Sequence, residues 1–405
     1  MNEIADFGEI ILIVAAGFSL ALLGRTVAER LAIPSAAVFL LVAAIASDLS
    51  PRLHDAISFV GVERLAVVAL IVILFDGGMH IGWHRAGAAL VPILSLGVIG
   101  TFATAGLVAL AAHYVLDFSW ITSGLLGAAI APTDPAVTFS VLSGREVRGR
   151  AGTIIEGESG ANDPVGIALM IGMIEFATTD DAGFSVVVEE FVIEMAGGVA
   201  VGVAGALVLL PVMKRAVLPD ALLPLQVLAA AGVIYGAAAL VHGSGFLAVF
   251  IAGLLVGDAN VPRQREIEGF HGSLASLAEI TAFVALGLTI DLTDVLSSGD
   301  WMSGLALAAL LGFLIRPLVV AVLLLPVRLS WGERGFIAWS GLKGAVPIML
   351  AALAVIAAVD DAEEIYNVVF VVVLFSVALQ GSLLPVVAKR LGIPLSRPNA
   401  ARSQS

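Results

Sequence analysis

The sequence predicts an all-α polytopic membrane protein. It would have about thirteen transmembrane helices, formed as two inverted six-helix repeats whose interrupted helices cross at the midplane. Three observations lead there. The 405 residues are 60% hydrophobic and 13% charged, against about 25% charged in an average soluble domain. Apolar runs near twenty residues recur from end to end, far longer than barrel strands of about 9–11 residues. A few short motifs also recur at one fixed separation.

In chain order, spans are expected at 8–24, 33–47, 62–79, 87–112, 119–143, 151–177, 186–213, 221–241, 244–257, 273–290, 301–325, 334–358 and 364–388. Span nine is short, and Pro or Gly interrupts spans five, six and twelve. The N-terminus carries Glu3, Asp6 and Glu9 rather than the basic region of a cleaved signal peptide, so the first span is expected to be retained. No low-complexity segment or soluble domain is expected, and the tail after Gly392 is too short to fold alone.

Orientation comes from the 20 basic residues. With the C-terminus inside, only Arg52 and Arg64 fall in outer loops, and Arg316 and Lys343 fall within spans. Every other Lys and Arg is then in an inner loop, a positive-inside bias that also requires an odd number of spans. The outer loops are acidic, with Asp180, Asp181, Glu189, Glu190, Asp291, Asp294, Asp300, Asp360, Asp361, Glu363 and Glu364. That pattern suits either simple solubility or a field that draws cations.

Three motif pairs share the separation. Asp134–Val137 precedes Lys343–Val346 by 209 residues, Gly78–Ile81 precedes Gly287–Ile290 by 209, and Ser47-Asp48 precedes Gly257-Asp258 by 210. Residues about 8–177 would then repeat as about 221–390, with 186–213 as a linker helix. Seven spans separate the copies, so the second is upside down in the membrane, as in many secondary transporters.

Composition removes several functional classes. There are no cysteines, which excludes disulfides, thiolate catalysis and cysteine metal sites. The six histidines are scattered without ligand spacing, and no cofactor is expected. A net charge of −13 argues against nucleic acid as a partner.

The polar residues of the apolar spans concentrate between Thr133 and Pro164. Pro132 and Pro135 flank Thr133 and Asp134, and prolines free backbone carbonyls at mid-membrane. Carbonyls, a threonine hydroxyl and a carboxylate are hard oxygen ligands, suited to an alkali cation. In span twelve, Gly341, Gly344 and Pro347 open the helix in the same way. Asp134 would neutralise positive half-helix ends and Lys343 negative ones, or either could serve transport directly.

On span six, Glu156, Ser159 and Asp163 share one helix face, with Glu158 and Asn162 on a neighbouring one. A desolvated carboxylate has a raised pKa. Asp163, the deeper acid, can therefore take either a proton or a cation, unless it is a permanently protonated core acid. Arg316 in span eleven cannot shed its proton and needs a carboxylate, for which Glu158 is the candidate. Asp76 in span three is either a further oxygen ligand or an interfacial acid.

Taken together, Ala-Pro-Thr-Asp-Pro at 131–135, Gly-Glu-Ser followed by Asn162-Asp163, Arg316 before Pro317, and Gly-Leu-Lys-Gly-Ala-Val-Pro at 341–347 resemble the monovalent cation/proton antiporters of the sodium/proton exchanger type. The wording of span six is most similar to the bacterial and archaeal NhaP class, the branch with an Asn-Asp pair. The resemblance covers nearly the whole chain. It implies a homodimer in the cell membrane of a prokaryote, with a cytoplasmic C-terminus and a mobile core moving against a dimerisation domain. It further implies that Asp163 binds Na+ or K+ and H+ in turn, that Thr133, Ser159 and Asp76 help hold the cation, and that Glu158 pairs with Arg316. Asn162 stands where electrogenic relatives have aspartate, which implies electroneutral exchange. Lys343 stands where arginine is usual, and Asp76 where a longer acid is common.

The function expected is therefore secondary antiport of a monovalent cation against protons, by competition at Asp163 and alternating access. A cation-selective channel or uncoupled cation transporter is the alternative. An intramembrane hydrolase is disfavoured because no nucleophile–base constellation is present.

Overall fold

The computed structural model describes residues 34–50, 58–142, 146–147, 149–179, 185–215, 219–259, 261 and 263–396, and Ser19, Leu22 and Leu53 besides. Apart from Ser19 and Leu22, the span expected at 8–24 lies outside the described residues. So do Arg25, Arg30, Arg52, Arg145, Arg148, Arg397, Arg402, Asp180 and Asp181.

The described chain is helical almost throughout. In order the helices are α1 (Ser35–Leu49), α2 (Phe59–Ile81), α3 (Trp83–Ala88), α4 (Leu90–Leu116), α5 (Trp120–Ile130), α6 (Pro135–Val141), α7 (Arg150–Thr178) and α8 (Ser185–Arg215). They continue as α9 (Leu223–Leu240), α10 (Gly245–Gly257), α11 (Gln264–Leu288), α12 (Leu292–Ser298), α13 (Asp300–Leu323), α14 (Trp331–Trp339), α15 (Ala345–Ile356) and α16 (Ala362–Arg390). Among the described residues the sole sheet is a two-residue antiparallel pair, β1 (Glu146–Val147) with β2 (Leu395–Ser396).

Six helices (α4, α8, α9, α11, α13, α16) are long and apolar enough to cross a membrane by length and composition. At 1.5 Å per residue, α2 and α7, with 23 and 29 residues, are also long enough to span a hydrocarbon core of about 30 Å. Large apolar side chains stay on the outside, with Val208 70% and Val91 68% exposed. Such a surface belongs in lipid, because soluble proteins rarely leave contiguous apolar area uncovered.

Two expectations are corrected. Span ten begins at Gln264, nine residues before the expected 273, because its first turns are polar yet helical. Span six is one unbroken helix despite Pro164. The proline removes a hydrogen bond to the Gly160 carbonyl, and both residues are buried within the protein, so the helix continues there without facing lipid. Spans five and twelve are broken as expected, at 131–134 between α5 and α6 and at 340–344 between α14 and α15.

Close helix contacts recur at the separation seen in the sequence. A Cβ on Gly78 of α2 would run into the backbone of Phe250, Gly253 and Leu254 on α10. A Cβ on Gly287 of α11 would meet Leu40, Ala43 and Ala44 on α1. Each residue of the second contact is 209 or 210 positions from its counterpart in the first. These two helix pairs thus meet through glycine at equivalent places, and no larger residue fits either crossing. α8, α9 and α10 share a second apolar core with Phe75 and Met79 of α2.

Candidate cation-exchange site

The two broken segments cross and hold each other. The Asp134 N–H donates to the Leu342 carbonyl at 2.8 Å, and Thr138 Oγ1 donates to the Ser340 carbonyl at 3.1 Å. Lys343 Nζ reaches back to the other break and donates to the Ala131 and Pro132 carbonyls, both at 2.9 Å. Those carbonyls lie at the C-terminal end of α5, whose orphan acceptors a cation satisfies. Asp134 in turn lies against Gly344, the residue that caps the N-terminus of α15, so closely that a Cβ there would overlap its carboxylate. The two charges therefore sit at opposite half-helix ends.

Span six fixes the first break from the side. Asn162 Nδ2 donates to Thr133 Oγ1 at 2.8 Å, and the Thr133 N–H donates to Asn162 Oδ1 at 3.3 Å. Ser159 Oγ donates to the Thr133 carbonyl at 2.6 Å. Thr133 is thus held through its amide, carbonyl and hydroxyl together. Pro132 and Pro135 prevent a helix from forming there, and these side chains take over the pairing a helix would have given.

The brace is present. Arg316 Nη1 and Nη2 donate to Glu158 Oε1 and Oε2 at 2.5 and 2.8 Å, a two-pronged pair with both residues almost fully buried. Nη2 also reaches the Ile337 carbonyl at 3.4 Å. The pair joins α7 to α13 and to the end of α14, beside the second break.

A cavity of about 360 Å³ opens next to the crossing. Glu156, Ser159, Gly160 and Asp163 border it from α7, Asp76 and His80 from α2, and Asp134 from the first break. Asp163 is only 5% exposed, and its Oδ1 has no hydrogen-bond partner. A buried acceptor without a partner is costly and calls for explanation. Asp76 also borders the cavity, with its Oδ1 3.3 Å from His80 Nδ1.

The structure therefore brings Asp163, Asp134, Ser159 and Asp76 to one space. Thr133, held by Asn162 and by the cavity-lining Ser159, supports this space without lining it, and Glu158, Arg316 and Lys343 do not line it either. Among the described residues no three His, Asp or Glu side chains converge on a metal-ion position. The cavity offers separate carboxylates and neutral oxygens instead.

The transmembrane model of the sodium/hydrogen exchanger family matches residues 18–390. The chain belongs to this family. Among curated relatives it is 32% identical over 396 residues to the K(+)/H(+) antiporter NhaP of Alkalimonas amylolytica, covering 96% of this chain and 67% of that protein. It is 33% identical over 374 residues to the K(+)/H(+) antiporter NhaP2 of Shewanella sp. (strain ANA-3), covering 91% and 64%. The chain thus spans about two thirds of the length of these relatives. Among solved structures it resembles the sodium proton antiporter MjNhaP1 of Methanocaldococcus jannaschii, with TM-score 0.79 and 25% identity over 94% of this chain and all of that one. The relatives are transporters, not enzymes.

Sequence reasoning missed two residues that this exchanger places on the cavity, His80 and Glu279. An acid within an apolar span was a readable signal for Glu279. His80 could have been read only from its i, i+4 spacing to Asp76 on α2; its place on the cavity arises on folding.

Proposed function

We propose that this chain is a secondary antiporter that exchanges Na+ or K+ for H+ across the membrane, one for one and without net charge movement. One observation carries the reading. A single nearly buried carboxylate, Asp163, keeps an unpartnered oxygen toward a cavity lined by acids, at the crossing of two broken helices. A carboxylate in that setting must be neutralised by a proton or by a cation, and one group cannot hold both. Ser159, Asp134 and Asp76 supply further oxygens beside it. Asn162 adds no charge, consistent with electroneutral turnover.

Alternating access would follow from motion of the crossing, with Glu158–Arg316 and Lys343 keeping the two breaks together as it moves. The paired contacts at Gly78 and Gly287 support an inverted repeat of about 8–177 and 221–390, joined by the helix at 186–213, within a thirteen-helix whole. A homodimer in the prokaryotic cell membrane, with a cytoplasmic C-terminus, completes the reading. The antiport activities named for the relatives support it.

The test is Asp163→Asn in inverted vesicles. The variant should fold and purify like the parent, yet leave an imposed pH gradient intact when Na+ or K+ is added. Retained gradient dissipation would remove Asp163 from the mechanism. The parent in proteoliposomes with Li+, Na+, K+ and Rb+ would then rank the cations.

A further inference from the structure

Glu279 is the cavity acid that neither the motifs nor the crossing accounts for. It lies on α11, whose Gly272, Ala275, Ser276, Glu279, Ala282 and Phe283 all border the cavity. Their spacing of three and four residues puts them on one helix face. Ser276 and Glu279 are the polar side chains in this otherwise small and apolar stripe.

Depth can be compared on the two walls. At the rim, Arg85 donates to the His80 carbonyl at 3.2 Å and to Glu156 Oε2 at 3.3 Å. Gly272 of α11 faces Asp76 and His80 near the same rim. From Glu156 to Asp163 is seven residues along α7, and from Gly272 to Glu279 is seven residues along α11. Each interval is two turns, about 10 Å. Glu279 and Asp163 therefore enter the cavity at similar depth from different helices. The lining carries five carboxylates (Asp76, Asp134, Glu156, Asp163, Glu279) and neither Lys nor Arg. The nearly buried Asp163 Oδ1, which lacks a partner, is the independent sign that a cation is received there.

We infer that Glu279 is a second carboxylate for the transported alkali cation, receiving it on the α11 side of the cavity before or during its stay at Asp163. Asp163 carries the exchange with the proton; Glu279 sets how readily the cation enters and which cation is preferred. This inference depends on the antiport reading above.

The experiment measures initial exchange rates in proteoliposomes against Na+ and K+ concentration at fixed pH, for the parent, Glu279→Gln, Glu279→Asp and Asp163→Asn. Glu279→Gln should raise the apparent KM for the cation at least fivefold and leave the maximal rate within twofold. Glu279→Asp should recover most of the KM while changing the Na+ to K+ ratio. If both Glu279 variants keep the parental KM and cation ratio while Asp163→Asn is inactive, the Glu279 inference is overturned and the antiport reading stands. If Asp163→Asn exchanges normally, Asp163 is not the exchange site, and the Asp163-centred reading on which this inference rests fails. Should Glu279→Gln not fold, Glu279→Asp decides: a shifted cation ratio supports the assignment, and unaltered kinetics reject it.

Discussion

Asp258 closes the chain at His84: its Oδ2 accepts the His84 backbone N–H at 2.6 Å and lies 2.8 Å from the His84 ring Nδ1. His84 is in the first turn of α3. At the equivalent place Asp48 accepts the Thr293 N–H and hydroxyl, each at 3.1 Å, in the first turn of α12. Asp48 and Asp258 are 210 residues apart, and His84 and Thr293 are 209 apart. Asp48 lies in the last turn of α1 and Asp258 directly follows α10, and each accepts from the first turn of a helix in the other half of the chain. A carboxylate on a first-turn N–H contributes about 0.5–2 kcal/mol. Asp48→Ala and Asp258→Ala should each cost that much in thermal unfolding in detergent, and the double variant should lose the sum. A double variant that loses no more than one single variant would show that the caps are not independent, equivalent devices.

The buried Glu158–Arg316 pair makes a different prediction. Removing one partner strands a buried charge, at a cost of about 3–5 kcal/mol, whereas replacing both with apolar groups is often neutral. Glu158→Gln and Arg316→Met should each lower the unfolding temperature sharply, and the double variant should regain much of the loss. If the double variant is the least stable of the three, the pair adds net stability rather than merely satisfying two charges.

How much of this was legible beforehand depended on whether a residue's physics is local. Arg316 declared a need for a carboxylate, and Pro132 and Pro135 declared a broken helix, because both consequences follow from the residue alone. The glycine contacts at Gly78 and Gly287 showed only as an offset between weak matches; their close helix packing required the fold. The π-type turns at Ser95–Gly100, Leu311–Ile315 and Ser376–Gly381 were invisible, since one extra residue per turn leaves no mark on an apolar sequence. Pro164 misled in the other direction, because a proline buried within the protein need not break its helix. For the site, the i, i+3, i+7 face of Glu156, Ser159 and Asp163 was readable, whereas the packing that brings Glu279 of α11 to the same cavity was not.

Lys343 should be necessary for stability through its hydrogen bonds to Ala131 and Pro132. Lys343→Met removes the donor and leaves two buried carbonyls without it, at about 1–3 kcal/mol for each unsatisfied group. Lys343→Arg keeps a donor and should fall between parent and Met. Thermal stability in detergent separates the three. Equal stability of the Met variant would mean that other donors satisfy these carbonyls.

Thr133 tests whether the wall of the site matters as much as its charges. Thr133→Ser keeps the hydroxyl that accepts from Asn162, and exchange should stay within about threefold of the parent. Thr133→Val has nearly the same shape but leaves the Asn162 amide short of a buried acceptor, a loss of about 1–3 kcal/mol. If that loss falls on the rate-limiting step, at 1.36 kcal/mol per decade exchange should fall by about fivefold to 150-fold. Initial rates in proteoliposomes read the difference. Similar rates for Ser and Val would show that the Asn162 contact is dispensable.

On the proposed exchange, competition at Asp163 would fix the pH dependence: the cation would bind the ionised carboxylate, and the proton would remove that form. Below the pKa of Asp163, each unit fall in pH leaves tenfold less carboxylate, so the apparent KM for the cation on that side should rise about tenfold. Above it, the KM should become independent of pH. Saturating cation should restore binding on the acidic side, because the two ligands exclude one another rather than act at separate places. The measurement is a family of rate curves against cation concentration at several pH values. Were acid to lower the maximal rate at saturating cation and leave the KM untouched, protons and cations would be acting at different groups. The single-carboxylate exchange would then be wrong even if Asp163→Asn is inactive.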